Sequence, residues 1–213
     1  MDLKKIKIVS RNNKLVHDDY EDDEVTLLRA FIQEADKVIE LGGRLGKSSC
    51  VINKLLKTKR HHVVIEPNKS VLNLLETNRD NNNCKFQILD KILGNGTDKF
   101  NLHSYHAGKP NKFSISTQTK LSNNSDADVD SITYSDVCKK YKIIFNVLVA
   151  DCEGCLEYVV RSNETMLINM RMVIFEKDGD CCDYSYVSKK LKESGLTEVT
   201  RPFSRQQIWI KTN

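Results

Sequence analysis

Apolar positions recur along the chain at two different spacings. In residues 21–35 they return every three or four positions behind an acidic first turn, which predicts an amphipathic helix that begins near Asp23. Short apolar runs follow at 37–43, 61–67 and 84–90, and the segments between them return to helical spacing. Strands that alternate with helices in this way predict a parallel sheet covered by helices.

The second half of the chain continues the same alternation. A helix is predicted from about Tyr134, and apolar strands follow at 143–151 and 170–178 with a helix between them. The tail adds a helix closed by Gly195 and two short strands that form a terminal hairpin. The predicted fold class is therefore α/β, with a doubly wound, mostly parallel sheet that ends in a C-terminal antiparallel hairpin.

Residues 94–130 lack either spacing and are rich in Gly, Asn, Ser and Lys, with one alternating run at 113–120. This composition predicts a long loop that carries a short strand. A loop of that length in a compact domain is more often functional than not. We expect one domain over 1–213, with 94–130 inserted on the side where an acceptor would bind.

Composition narrows the class of protein. The chain has 213 residues, 39% of them hydrophobic, which suits one globular domain, and no apolar run approaches the roughly 20 residues of a membrane span. The beginning of the chain shows no secretory signal, so a cytoplasmic protein is expected. Seven cysteines without an export signal favour reduced thiols. The net charge of +4 is spread along the chain and does not by itself predict nucleic-acid binding.

A glycine turn follows the first strand, in VIELGGRLG, and brings Glu40, Gly42 and Gly46 to the start of a helix. Glycine lets the backbone approach a ligand, and the helix start offers amide donors, although tight packing would explain the turn as well. Glu66 ends the next strand, 26 residues after Glu40. A carboxylate in that place can accept hydrogen bonds from both hydroxyls of a ribose. The pair of segments favours a ligand that contains adenosine.

Four segments in order, VIELGGRLGKSS, VVIEP, LVADCEG and MVIFEKD, resemble the S-adenosylmethionine-dependent methyltransferases of class I, Rossmann-like fold, and among them the FkbM-type O-methyltransferases. The resemblance spans most of the chain. It departs from the family at Arg44, where asparagine is usual, at Glu40, where aspartate is commoner, and at Glu157, which falls one residue late.

The resemblance implies S-adenosyl-L-methionine as the cofactor and assigns residues to its parts. Glu40, Gly42 and Gly46 would face the methionine portion. Glu66 would hold the ribose, with two neighbours beside it, Pro67 and Asn68. Asp90, which ends the third strand, would contact the adenine or would simply be a solvated strand end.

The fourth strand ends in Asp151, followed by Glu153 and Gly154, at the edge where open parallel sheets bind ligands. Methyl transfer to a hydroxyl needs the oxygen aligned and its proton removed. We assign Asp151 first and Glu153 second to acceptor binding or proton removal, with capping of the next helix as the alternative. His103 in the long loop is a further candidate base, as are its neighbours Tyr105 and His106.

The cysteines allow a competing interpretation. Cys152 and Cys155 form a CxxC motif, and Cys181 with Cys182 could complete a four-thiolate zinc site. Adjacent cysteines fit one tetrahedral ion poorly, and a thioredoxin-like role is less favoured still, because the motif follows a central strand. Plain reduced thiols are therefore the prediction.

Acidic residues in 178–183 offer another possible metal site. Asp178, Asp180 and Asp183 could hold Mg²⁺ beside Asp151, although a solvated loop is the favoured interpretation. The requirement for a divalent metal stays open at this stage.

The predicted function is O-methylation, and for FkbM-like enzymes the resemblance implies a sugar hydroxyl of a glycan or glycosylated small molecule as acceptor. The alternative is ribose 2′-O-methylation of RNA, based on a Lys–Asp pair of Lys177 and Asp151. No interleaving of aromatic and basic residues supports an RNA track. A third alternative is a cofactor-binding module without catalysis, suggested by Arg44 in the glycine turn.

Overall fold

The computed structural model describes residues 6–12, 14–16, 22–105, 116–122, 127–178, 181–200 and 204–212. In these ranges the helices are α1 (Asp22–Phe31), α2 (Lys47–Leu55), α3 (Lys69–Asn81), α4 (Tyr134–Tyr141), α5 (Leu156–Ser162) and α6 (Tyr184–Glu193), and a 3-10 helix spans Glu164–Asn169. The strands are β1 (Val38–Leu41), β2 (His62–Ile65), β3 (Gln87–Leu89), β4 (Ile92–Leu93), β5 (Lys99–Tyr105), β6 (Ser116–Ser122), β7 (Val129–Ile132), β8 (Val147–Ala150), β9 (Met172–Glu176), β10 (Leu196–Glu198) and β11 (Gln206–Lys211).

A seven-stranded sheet forms the centre of the molecule, in the order β10-β11-β9-β8-β1-β2-β3. The pairs among β3, β2, β1, β8 and β9 are parallel, and β11 pairs antiparallel with both of its neighbours. This confirms the predicted α/β class, with a mostly parallel sheet and an antiparallel hairpin at the end of the chain. The strand order reverses between β1 and β8, and such switch points are where open α/β sheets bind ligands.

Helices cover both faces of this sheet because its strands are apolar on both sides. Ile39 and Leu41 of β1 belong to one buried cluster, which also takes side chains from α4, α5 and α6. Val38 of the same strand belongs to the opposite cluster, with side chains from α1 and α2. Successive strand residues point to opposite faces, so a fully buried strand must be apolar at both kinds of position.

The segment predicted as a long loop contains more strand than expected. A second sheet has the order β4-β7-β5-β6, in which β5 and β6 pair antiparallel over seven residues, from Lys99 opposite Ser122 to Tyr105 opposite Ser116. The alternating run predicted the position of β6 but not its partner. Strand β5 has weak alternation and lies within a polar stretch, so tertiary pairing decides its structure.

Across the described ranges, no helix combines the length and apolar character that crossing a bilayer requires.

Candidate functional site

A cleft opens where β1, β2 and β8 end. The register places Leu41 beside Ile65 on one side and Ala150 on the other, so the residues that follow these strands leave the sheet together. The cleft encloses about 870 Å³, including its opening to solvent. Its wall contains the polar or glycine residues Gly42, Gly43, Arg44, Glu66, Asn68, Thr119, Asp151 and Glu153, and the apolar residues Leu41, Ile65, Pro67, Val71, Ile92 and Leu93.

Gly42 is the point at which the two sides of the cleft touch. Its φ is +90°, and a Cβ added there would lie 1.9 Å from the backbone oxygen of Asp151. The Asp151 amide in turn donates to the carbonyl of Leu41 at 3.0 Å. Only glycine fits both the left-handed conformation and this close approach. Gly42 lies in the cleft wall, and its contact with the methionine portion of a cofactor stays a prediction.

Gly46 and Glu40 lie away from the cleft, unlike the sequence prediction. Gly46 precedes α2 with φ +86°, and its Cα faces Leu75 of α3, to which an added Cβ would be 2.7 Å distant. Glu40 is 2% exposed, accepting from Ser49 Oγ at 2.9 Å and lying 2.8 Å from His62 Nε2. The placement therefore does not support contact of Glu40 or Gly46 with the methionine portion of a cofactor.

The strand period of two explains where Glu40 points. Leu41 contributes to the cleft wall, so its neighbour Glu40 points to the opposite face of the sheet, toward α2. His62, the partner of Glu40, is the first residue of β2 and is fully buried. The period of two places Glu40 and Leu41 on opposite faces, but all four residues of VIEL are buried, so the sequence alone does not tell which face meets the cleft.

Glu66 lies in the cleft wall but is already engaged by the backbone. Its Oε2 accepts from the amides of Gly43 at 3.1 Å and Arg44 at 2.9 Å, and its Oε1 accepts from the amide of Asn68 at 2.8 Å. Burial raises the pKa of this carboxyl, and the three amides oppose the rise. A carboxylate offers about four acceptor positions, so roughly one remains for a ligand hydroxyl. Glu66 thus holds the glycine turn in place and keeps limited capacity for a ribose.

Beside Glu66, the neighbours Pro67 and Asn68 also line the cleft. Asn68 caps α3 by accepting from the Ser70 amide at 3.0 Å. Asp90 is exposed after β3 and is not part of the wall, so its contact with an adenine stays a prediction. The apolar surface on that side comes instead from Ile92 and Leu93, which the sequence interpretation had not assigned.

The opposite side of the cleft is acidic. Asp151 and Glu153 lie in its wall, and carboxylate oxygens of Asp151, Glu176 and Asp178 lie within 4.8 Å of one another. Burial, followed by the charges of Glu153 and Glu176, raises the pKa of Asp178 to about 6, which Arg205 opposes. Arg205 Nη2 approaches Glu176 Oε1 at 2.6 Å. The carboxylates therefore favour a proton or a cationic partner among them.

Two candidate residues, His103 and Lys177, do not line the cleft. His103 is exposed on β5, whereas Thr119 of the neighbouring strand β6 lies in the cleft wall. His106 lies outside the described residues, as does the side chain of Tyr105. Lys177 follows β9, donates its amide to the carbonyl of Arg205 and does not line the cleft.

The cysteines are not all reduced thiols, which corrects the sequence prediction. Cys152 and Cys155 form a disulfide, while Cys181 and Cys182 are free, so the four-thiolate zinc site is excluded in this state. Asp178 does approach Asp151, as the magnesium alternative required, but Asp183 caps α6 and Asp180 lies outside the described residues. Oxidation could not be predicted from composition because it depends on how closely the turn brings the two sulfurs together.

No family model matches this sequence, and no curated protein matches it. Among solved structures, similarity extends to a precorrin-6y C5,15-methyltransferase from Geobacter metallireducens GS-15, with 8% identity, a TM-score of 0.53, and coverage of 99% of this chain and 97% of that one. An rRNA methylase from Streptococcus thermophilus shares 7% identity at a TM-score of 0.51, with coverage of 90% and 95%.

These likenesses show the fold: the chain has the Rossmann-like, class I fold of S-adenosylmethionine-dependent methyltransferases. The resemblance to the FkbM-type enzymes stays a prediction.

Proposed function

We propose that this protein is an S-adenosylmethionine-dependent O-methyltransferase that acts on a sugar hydroxyl. One observation carries the proposal: the glycine turn, the Glu66–Asn68 segment and the acidic Asp151–Glu153 segment line the same cleft at the switch point of the sheet. A cofactor segment and a proton-accepting segment in one cavity are the minimum that methyl transfer requires.

The residues present fit the proposed cofactor in kind. Gly42 and Gly43 leave the floor of the cleft free of side chains, Glu66 has acceptor capacity for a ribose hydroxyl, and apolar Ile92 and Leu93 suit a nucleobase. When bound, the cofactor supplies an electrophilic methyl group on a sulfonium. The protein's own task is then to hold the acceptor oxygen in line and to take its proton.

Asp151 is the residue we assign to that proton. Its position in the cleft wall, at the end of β8, lets a carboxylate oxygen reach a hydroxyl bound beside the cofactor. The carboxylates of Glu176 and Asp178 lie next to it, and the repulsion among these negative charges favours the gain of a proton. Such an environment favours proton acceptance.

The charge of this end also bears on the acceptor. Four carboxylates stand on or beside the acidic wall, namely Asp151, Glu153, Glu176 and Asp178. Phosphate groups would be repelled there, whereas a neutral sugar would not. The acceptor that suits this charge is therefore a glycan or a glycosylated small molecule.

RNA is the second candidate acceptor, favoured by the fold shared with an rRNA methylase over 95% of that chain. The pair of Lys177 and Asp151 that this reaction would use has less support, because Lys177 lies outside the cleft wall. Incubation with labelled cofactor and separate glycan and RNA panels, followed by product mass analysis, decides between them. Transfer to RNA that falls steeply with salt would defeat the sugar proposal.

The cofactor assignment is tested by calorimetry with S-adenosylmethionine and its demethylated product. Glu66→Ala removes one charge-assisted hydrogen bond of about 1.5 to 3 kcal/mol, so affinity should fall about 10- to 150-fold. Glu76→Ala, on the exposed face of α3, is the matched control and should bind as the parent does. Absence of binding by the parent would overturn the proposal, and binding without transfer to either acceptor class would favour the non-catalytic alternative.

A further inference from the structure

The disulfide Cys152–Cys155 lies in the wall of the cleft, between the end of β8 and the start of α5. Both cysteines are half-buried, so a small reductant can reach them from the cleft. Structural disulfides usually tie together distant or terminal segments, whereas this one closes a loop of four residues beside the carboxylates of the acceptor side.

The two residues enclosed by the disulfide both have left-handed backbone conformations. Glu153 has φ +51° and Gly154 has φ +93°. A residue with a side chain rarely adopts such a φ unless the surrounding structure imposes it. The covalent link between the flanking cysteines is one such constraint, and it holds Glu153 in the cleft wall.

The same loop is connected to the rest of the acidic side. The backbone amide of Gly154 donates to the carboxylate of Asp178. Gly154 also packs so closely on Cys181 that an added Cβ would be 2.7 Å from Cys181 Cβ, and Cys181 Sγ accepts from Gln118 Nε2 of β6 at 3.2 Å. A change in the loop would therefore reach both the acidic cluster and the second sheet.

We propose that Cys152–Cys155 is a reversible redox-modification site that sets the geometry of the acceptor side of the cleft; this rests on the proposed function for its effect on turnover. A dithiol reductant carries out the step. One of its thiolates attacks a sulfur of the disulfide and forms a mixed disulfide, and the second thiol displaces that bond. Two cysteine thiols form with the two protons of the reductant, which ends as a disulfide.

Reduction removes the constraint on Glu153 and Gly154, and the loop can leave the left-handed conformation. Loss of alignment on the acceptor side lowers turnover without removing the cofactor contacts on the other side, where Glu66 holds the glycine turn through backbone amides. The expected response to reduction is a fall of about tenfold or more in turnover, with the cofactor Kd changed less than about threefold.

The state of the cysteines is measured first, on the intact protein. Alkylation under denaturing conditions without reductant should modify five cysteines, and after treatment with dithiothreitol all seven. Modification of all seven before reduction would overturn the proposal. Peptide mapping should assign the two additional groups to Cys152 and Cys155.

Amide hydrogen exchange of residues 151–156 measures the mobility of the loop in the absence of any acceptor, and its rate should increase on reduction. The double variant Cys152→Ser, Cys155→Ser should show the exchange rate and the turnover of the reduced parent, and neither should change when dithiothreitol is added. Cys138→Ser on α4, outside the cleft wall, is the control that keeps the pair, and it should retain the parent's response. Unchanged exchange on reduction would overturn the switch, whereas altered exchange in a protein that transfers no methyl group would count only against the proposed function.

Discussion

The two sides of the cleft hold carboxylates in opposite ways. On the glycine-turn side, Glu66 is buried and receives three backbone amides, so its negative charge is matched by donors that the fold supplies. On the acidic side, Asp178 is partly buried next to Glu153 and Glu176, and its main compensation is Arg205, whose side chain is 72% exposed. The first arrangement is preorganised and the second is crowded.

Under the proposed function, the contrast assigns ligand binding to one side and proton transfer to the other. A carboxylate that accepts three backbone amides is fixed in position, which suits recognition of a fixed ligand group. At Asp178, burial and then the charges of Glu153 and Glu176 raise the pKa to about 6, so this carboxyl exchanges protons close to neutral pH, which suits proton transfer. Gly42 joins the sides, because its Cα lies against the backbone oxygen of Asp151.

The largest effect should come from the acidic side. Asp151→Asn keeps the volume of the side chain but removes its capacity to accept a proton, so turnover should fall about 10² to 10⁴-fold. Cofactor affinity should stay nearly intact, since Glu66 and the glycine turn are unchanged. Kinetics and calorimetry on the same protein check both statements. A loss of cofactor affinity as large as the loss of turnover would contradict the division of the cleft into two functional sides.

Lys177→Ala is the companion variant for the acceptor class. With a sugar acceptor the substitution should change the rate of methyl transfer little, because Lys177 lies outside the cleft wall. With RNA it should be severe and non-additive with the Asp151 change.

Gly42→Ala tests the junction between the sides. The left-handed φ costs a residue with Cβ about 1 to 2 kcal/mol, and the 1.9 Å approach to a backbone oxygen adds a steric clash. We expect a loss of about 3 kcal/mol or more in the free energy of unfolding, measured with urea. Gly195→Ala is the control, since its φ is also positive at +81° but its nearest neighbour would be 3.8 Å away. Equal losses in the two variants would show that the junction is not tight.

The smallest effect concerns the crowded carboxyl of Asp178. Its folded pKa of about 6 exceeds the ordinary value of 3.8, so the native state binds more protons between these values and stability from this group falls as pH rises from about 4 to 6. The full rise in the pKa of Asp178 corresponds to a change of about 3 kcal/mol in the free energy of unfolding, and solvent screening reduces this to about 1 to 2 kcal/mol.

Asp178→Asn should therefore stabilise the protein by about 1 to 2 kcal/mol at pH 7 to 8 and give no such gain near pH 4. Urea unfolding across this range measures the difference from the parent. Asp90→Asn changes an exposed carboxyl outside the cluster and serves as the control. A gain of equal size at both pH values would show that the raised pKa of Asp178 is not its cause.

Local spacing in the sequence predicted the order of strands and helices, the mostly parallel sheet, the terminal hairpin, and the strand-end positions of Gly42, Glu66 and Asp151. These follow from side-chain periodicity and from the rule that parallel strands end at one edge, which need no knowledge of distant contacts. The helix predicted to begin near Asp23, for example, is α1.

Tertiary structure alone decided which of those residues share the cleft. Glu40 contacts Ser49 and His62 because β1 packs with that face toward α2. Thr119 reaches the cleft wall because β6 pairs with β5. The disulfide, the crowding around Asp178 and the contact of Gly42 with Asp151 likewise depend on distances between separate segments. Spacing along a chain limits the face on which a side chain lies, but packing determines what it meets there.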